Sequence, residues 1–121
     1  MQYLLLIYQS EAEGAKIPPA EMAVWYEKYG KFTEEIKKSG NYLGGNPLKP
    51  TTTATTVRVR DSKRVVTDGP FAETKEQLGG YFLVNANDLD EAIAIAARIP
   101  SARNGTIEVR PLAVRGQAKQ A

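Results

Sequence analysis

The residues best suited to chemistry gather in one stretch, Asp68-Gly69-Pro70-Phe71-Ala72-Glu73-Thr74-Lys75-Glu76-Gln77-Leu78-Gly79-Gly80-Tyr81. Gly69 can take a positive φ, while Pro70 fixes its own φ and offers no N–H, so the chain turns sharply and holds Asp68 in place. A carboxylate fixed in that way can line the rim of a pocket or work as an acid or base. It can equally bond the backbone of its own turn. Phe71 is expected to anchor the turn in the core. Glu73, Lys75 and Glu76 fall within one helical turn or one loop. Read functionally, Lys75 is an anion anchor or a base whose charge state Glu73 sets; read structurally, the cluster is a solvated surface. Gly79-Gly80 before a strand signals a bulge or a close backbone approach, which clears space for a ligand or for a neighbouring helix. Tyr81 brings a phenol to such a pocket, or an aromatic body to the core. If the chain does chemistry, Asp68 and Lys75 are the expected catalytic pair, with Glu73 and Tyr81 binding the ligand.

The rest of the composition narrows the chemistry. There is no histidine and no cysteine. The commonest general base and metal ligand, the thiolate nucleophile and the zinc–sulfur site are therefore absent. No clustered carboxylates suggest a metal, and no cofactor is expected. Gly44-Gly45 and Gly79-Gly80 fit neither a dinucleotide nor a P-loop fingerprint. A net charge of +2, evenly scattered, gives no basis for direct nucleic-acid binding. The apolar opening Tyr3–Tyr8 is too short to span a bilayer and lacks a basic flank, so a cytoplasmic location and no membrane contact are expected.

These side chains must be positioned by a single domain, expected over residues 1–113 with a flexible tail at 114–121. Tyr3–Tyr8 reads as a buried central strand. Pro18-Pro19 opens a helix whose apolar residues Met22, Trp25, Tyr29, Phe32 and Ile36 recur every three or four positions; Lys37, Lys38 and Gly40 suit its end. Tyr42-Leu43 is at most a short extended piece. Thr51–Arg60 is β-branched and ends in alternation, which predicts a strand with Val57 and Val59 facing the core. Asp61-Ser62-Lys63 turns it into a returning arm, Arg64–Thr67. Tyr81–Val84 is a further strand. Asp88 caps a second helix with Glu91 three residues on, placing Leu89, Ala92, Ile93, Ala96 and Ile99 inward. Asn104-Gly105 turns into a last strand, Thr106–Pro111, on which Glu108 and Arg110 would pair with Arg58 or Arg60 across a sheet or dimer interface.

The order is that of a ferredoxin-like α+β sandwich, β-α-β-β-α-β, with an extra hairpin arm. Two helices cover only one face of such a sheet. With apolar residues on both faces, the expectation is a homodimer packed sheet to sheet.

Val66–Tyr81 resembles the signature of the DGPF branch of the YCII-related family. Tyr3–Tyr8, Thr53–Arg58, Leu89–Ala92 and Ile107–Pro111 extend the resemblance almost end to end. It implies a ferredoxin-like subunit of a dimeric α/β barrel. Relatives in the wider family use a His paired with an Asp for elimination-type chemistry on small aromatic-derived acids, and this chain lacks the His. The resemblance leaves two functions. One is a homodimer that binds a small molecule, anions included, near the Asp68–Phe71 loop. The other is a non-catalytic dimeric module partnering an alternative sigma factor of the extracytoplasmic-function type.

Overall fold

A computed structural model describes residues 1–114. The tail expected from residue 114 lies, from 115 on, outside the described residues. Six strands and three helices follow in order: β1 (Gln2–Gln9), α1 (Glu11–Gly14), α2 (Pro19–Lys38), β2 (Tyr42–Pro47), β3 (Thr55–Arg60), β4 (Lys63–Asp68), β5 (Gln77–Asn85), α3 (Leu89–Ala97) and β6 (Thr106–Pro111). β2, β5, β1 and β6 form one antiparallel sheet in that order, while β3 and β4 pair only with each other. This is a mixed α+β fold on a ferredoxin-like plan, with the hairpin inserted between the second and third strands of the sheet. Among the described residues no helix is long and apolar enough to cross a membrane.

Alternation in β1 and β5 decides which face meets the helices. Tyr3, Leu5 and Ile7 of β1 and Phe82 and Val84 of β5 are buried, together with Phe32 and Ile36 of α2 and Ala92, Ile95 and Ala96 of α3. Each large side chain so buried contributes roughly 1.5–3 kcal/mol. Phe82 is the hub: Phe32 meets it edge-on at 5.3 Å between centroids, and Tyr29 and Tyr42 flank it. The opposite face carries Leu4, Leu6 and Tyr8 beside Leu83, Tyr81, Glu108 and Arg110, and nothing in the described chain lies over it.

The helix ends follow from local chemistry. Pro19 occupies the first turn of α2, where its missing N–H has no intrahelical partner to lose. At the other end Gly40 sits at φ +82°, and the N–H groups of Gly40 and Asn41 bond the carbonyls of Lys37 and Ile36, a Schellman closure. Asp88 caps α3 by accepting from the Glu91 N–H at 2.9 Å. The Glu91 carboxylate returns to the Asn87 N–H, one residue earlier than a capping box would place it.

Four expectations are corrected. Tyr42–Pro47, not Thr51–Arg60, is the second strand of the sheet. Val57 and Val59 are 58% and 62% exposed, because their strand pairs only within the hairpin and β2 already holds the sheet edge. Phe71 is 80% exposed: the loop after β4 stays outside the core until β5 begins. On α3 the inward position is Ile95, with Leu89 and Ile93 half exposed, since the buried stripe runs Ala92, Ile95, Ala96, Ile99.

Candidate functional site

The N-terminal half of α2 does not close onto the sheet. Its two buried residues, Phe32 and Ile36, lie near the C-terminal end. Met22, Trp25 and Tyr29 occupy the same apolar face but remain half-buried. Below them, β2 and β5 present Gly45, Gly79 and Gly80, so no side chain rises to fill the gap. The result is a cleft of about 750 Å³ between α2, the segment following β1, and the β2–β5 edge. That volume is of the size that takes a small molecule.

The sheet glycines have steric causes. A Cβ on Gly45 would lie 2.7 Å from Phe82 Cδ1, and one on Gly80 would lie 3.0 Å from the Asn46 carbonyl oxygen. They let the core aromatic and the edge strand approach, and the same bareness leaves the cleft floor flat.

The walls are aromatic: Trp25 meets Tyr29 edge-on at 5.9 Å, and Tyr29 stacks over Phe82 at 6.5 Å with an 11° interplanar angle. Apart from Glu13 at the rim, the polar groups are few and neutral. Ser101, fully buried in the turn Pro100–Arg103, donates to Gln9 Oε1 at 2.8 Å. Its proton is committed there, so the Tyr29 hydroxyl donates to Ser101 Oγ. This chain of three groups joins α2, β1 and the turn before β6 at the back of the cleft. Burial pushes the Tyr29 phenol above 10.0, opposed by its bonding to Ser101. Tyr29 is thus a neutral hydroxyl at physiological pH. On the other face of the sheet, Asn46 Nδ2 donates to Tyr81 Oη at 3.0 Å, outside the cleft.

Of the residues singled out from the sequence, Tyr81 borders this cleft through its place on β5, its side chain standing beside Leu6 on the other face of the sheet, and Asp68, Glu73 and Lys75 lie outside it. Asp68 ends β4 opposite Thr55, and Glu73 and Lys75 lie exposed in the loop that follows. None of the three takes part in an ion pair among the described residues. The turn has the expected backbone, with Gly69 at φ +98° and its N–H bonding the Ala54 carbonyl at 2.7 Å. Glu108 pairs with its own strand neighbour Arg110 at 2.7 Å rather than with Arg58 or Arg60, which lie on the hairpin. The guanidinium holds the Glu108 carboxyl below its usual value, and Tyr8, donating to Glu108 at 3.3 Å, is raised first by burial and then by that carboxylate. Among the described residues no cluster of three or more His, Cys, Asp or Glu could hold a metal.

Gln9, Trp25, Tyr29 and Ser101 are the polar and aromatic groups of the cleft that sequence reasoning passed over. Helical periodicity had marked Trp25 and Tyr29, but as core. The one signal for the cleft was Gly79-Gly80.

The profile of the YCII-related domain matches residues 1–114, the whole of the described chain. The chain belongs to the YCII-related family. An uncharacterized protein of Rhizobium meliloti (strain 1021) is 49% identical to it over 69 residues, which cover 55% of this chain and 56% of that protein. The chain therefore aligns with little more than half the length of this curated relative. Within a YCII-related domain, then, the geometry supplies an aromatic cleft with neutral hydrogen-bonding groups, and a separate exposed loop carrying the charges.

Proposed function

We propose that this YCII-related protein, of the DGPF type, is a cytoplasmic homodimer that binds a small molecule in the cleft between α2 and the β2–β5 edge. The observation that carries the reading is the cleft itself. It is a 750 Å³ space with aromatic walls, a glycine floor and the Gln9–Ser101–Tyr29 chain at its back. Apolar concave sites with a few convergent polar groups are where ligands bind. The homodimer is supported by the uncovered sheet face, where Leu4, Leu6 and Leu83 stand side by side with no helix above them. Binding, not turnover, is what these groups suit, since among the described residues the one charged side chain in the cleft is Glu13 at the exposed rim, away from the Gln9–Ser101–Tyr29 chain.

Screening a metabolite library by thermal shift tests this on wild type, Trp25→Ala and Lys75→Ala. Hits that vanish with Trp25→Ala and survive Lys75→Ala are the expected result. Hits that vanish only with Lys75→Ala would move the site to the Asp68–Lys75 loop.

A second reading, a dimeric partner of a sigma-factor-type regulator, is favoured by the hairpin. Register places Val57, Val59 and Val66 on one face and Arg58, Arg60 and Lys63 on the other, and neither packs on the sheet. Val57→Ser together with Val59→Ser, which strips the exposed apolar face and leaves the hairpin and its roots in place, would abolish such a partnership and leave ligand binding in the cleft intact.

A further inference from the structure

We propose that the cleft takes an uncharged, flat ring compound bearing a hydroxyl or carbonyl, and that Gly30 sets how large a ring it admits. This rests on the cleft being the ligand site.

The charge argument comes first. Among the described residues Glu13 is the only charged side chain lining the cleft. It stands largely exposed at the rim, with Lys16 Nζ 3.6 Å away. Among the described residues no lysine or arginine lines the cleft, so a carboxylate or phosphate entering it would lose water and gain no cation from them. Desolvating an unpaired ion costs several kcal/mol, more than flat aromatic contact returns. A neutral ring meets no such penalty. It can stack beside Trp25 and Tyr29, and its oxygen can bond the neutral side chains of Gln9 or Tyr29.

Gly30 is an independent mark. It lies inside α2, where glycine costs roughly 0.5–1 kcal/mol relative to alanine. Its backbone is helical, so no unusual φ calls for it. A Cβ there would have nothing within 4 Å, so no neighbour excludes a side chain either. Gly45 and Gly80, on the opposite wall, both have close neighbours. What glycine provides at position 30 is empty space on the helix wall of the cleft, one turn beyond Tyr26 and beside Tyr29. A side chain there would occupy the volume a ring needs.

Calorimetry with two shape-matched probes, 4-hydroxybiphenyl and biphenyl-4-carboxylate, tests both parts on wild type, Gly30→Ala and Gly30→Leu. The phenol should bind at least about tenfold tighter than the carboxylate. Gly30→Leu should weaken the phenol by about tenfold or more without lowering the melting temperature, while Gly30→Ala raises the melting temperature and keeps most of the affinity. If Gly30→Leu does not fold, Trp25→Ala is the second cleft variant, with the same expected loss. A carboxylate that binds as tightly as the phenol overturns the ligand class, and the cleft remains the site if Gly30→Leu blocks both probes. Binding unchanged in Gly30→Leu and Trp25→Ala overturns the cleft itself. Failure of wild type to bind either probe overturns the proposed class.

Discussion

Replacing Gly105 with alanine should cost far more than the loss of a hydrogen atom suggests. Gly105 stands at the entry to β6, its N–H bonding the Ser101 carbonyl at 2.7 Å. A Cβ there would lie 2.2 Å from the Tyr8 carbonyl oxygen and 3.1 Å from both Gln9 Cβ and the Ser101 carbonyl oxygen. Carbon and oxygen ordinarily approach to about 3.3 Å, so roughly 1 Å of relief is needed. The closest atom is backbone of a central strand, so no rotamer change can supply it. Either β6 shifts, weakening its Tyr8–Thr106 pairing, or the turn carrying Ser101 moves away from Gln9. Overpacking of this kind costs about 1–3 kcal/mol, and a weakened hydrogen bond adds about 1 kcal/mol. Reduced freedom of the unfolded chain returns about 0.4–1 kcal/mol. The net is a destabilisation of about 1–3.5 kcal/mol, or a melting temperature lower by roughly 5–15 °C for a chain of this size. Gly30→Ala is the internal control, because the same substitution there should stabilise by about 0.5–1 kcal/mol. Urea unfolding at fixed protein concentration, followed by circular dichroism and by the single tryptophan, measures both. A Gly105→Ala loss under about 0.5 kcal/mol, or the same sign at both positions, would refute the reasoning from Cβ space.

Leu6 lies at the middle of the open sheet face, between Tyr81 and Glu108. Leu6→Asp should convert a dimer to a folded monomer in sedimentation velocity, and a monomeric wild type at about 50 µM would remove the sheet-to-sheet dimer. In that monomeric background Phe71→Ala should change stability by less than about 0.5 kcal/mol, since its ring is exposed, and a larger loss would show that the loop packs somewhere in the chain. Tyr29 gives a pH dependence with a defined sign. Its folded-state value is raised, so the stability it confers is full below the ordinary value of 10.0 and is lost as pH rises through the folded value, where the unfolded phenol has already ionised. Tyr29→Phe should flatten the alkaline fall in stability above pH 10, with Tyr8, also raised, supplying what slope remains. Equal slopes in the two proteins would refute the burial of that hydroxyl.

What could be read from the sequence was whatever is decided locally. The closure of α2 at Gly40, the cap at Asp88, the buried run of β1 and the hairpin turn at Asp61-Ser62 all depend on residues within a few positions of one another. Both turn residues take positive φ, as a two-residue hairpin loop requires. β2 was nearly invisible because Tyr-Leu-Gly-Gly-Asn-Pro has two glycines, a proline and no β-branched residue. Pairing with β5 makes it a strand, and the closeness of Phe82 makes Gly45 necessary. Val57 and Val59 misled for the opposite reason: alternation announces that a strand has two faces, not that either meets a core. Periodicity on α2 likewise marked Met22, Trp25 and Tyr29 as one face with Phe32 and Ile36. It carried no information about the distance from that face to the sheet, and the cleft lies in that distance.

The stretch from Asp68 to Tyr81 divides along the same line. Its first part closes the hairpin and holds its charges in solvent; of its last part, Gly79-Gly80 is cleft floor and Tyr81 turns to the other face of the sheet. Gln77 joins the two. Its amide nitrogen donates to the Thr74 carbonyl, and its amide oxygen accepts the Glu11 N–H at 2.8 Å. The Glu11 carboxylate in turn accepts from the Thr51 N–H at 2.9 Å and the Thr51 hydroxyl at 2.6 Å, where the chain leaves for the hairpin. Both roots of the hairpin are thereby tied to the first turn of α1, whose neighbours Ser10 and Glu13 line the cleft. A displacement of the hairpin by a second copy or another partner would reach the cleft through Glu11 and Gln77. The charged loop and the cleft are separate places, but they share one anchor.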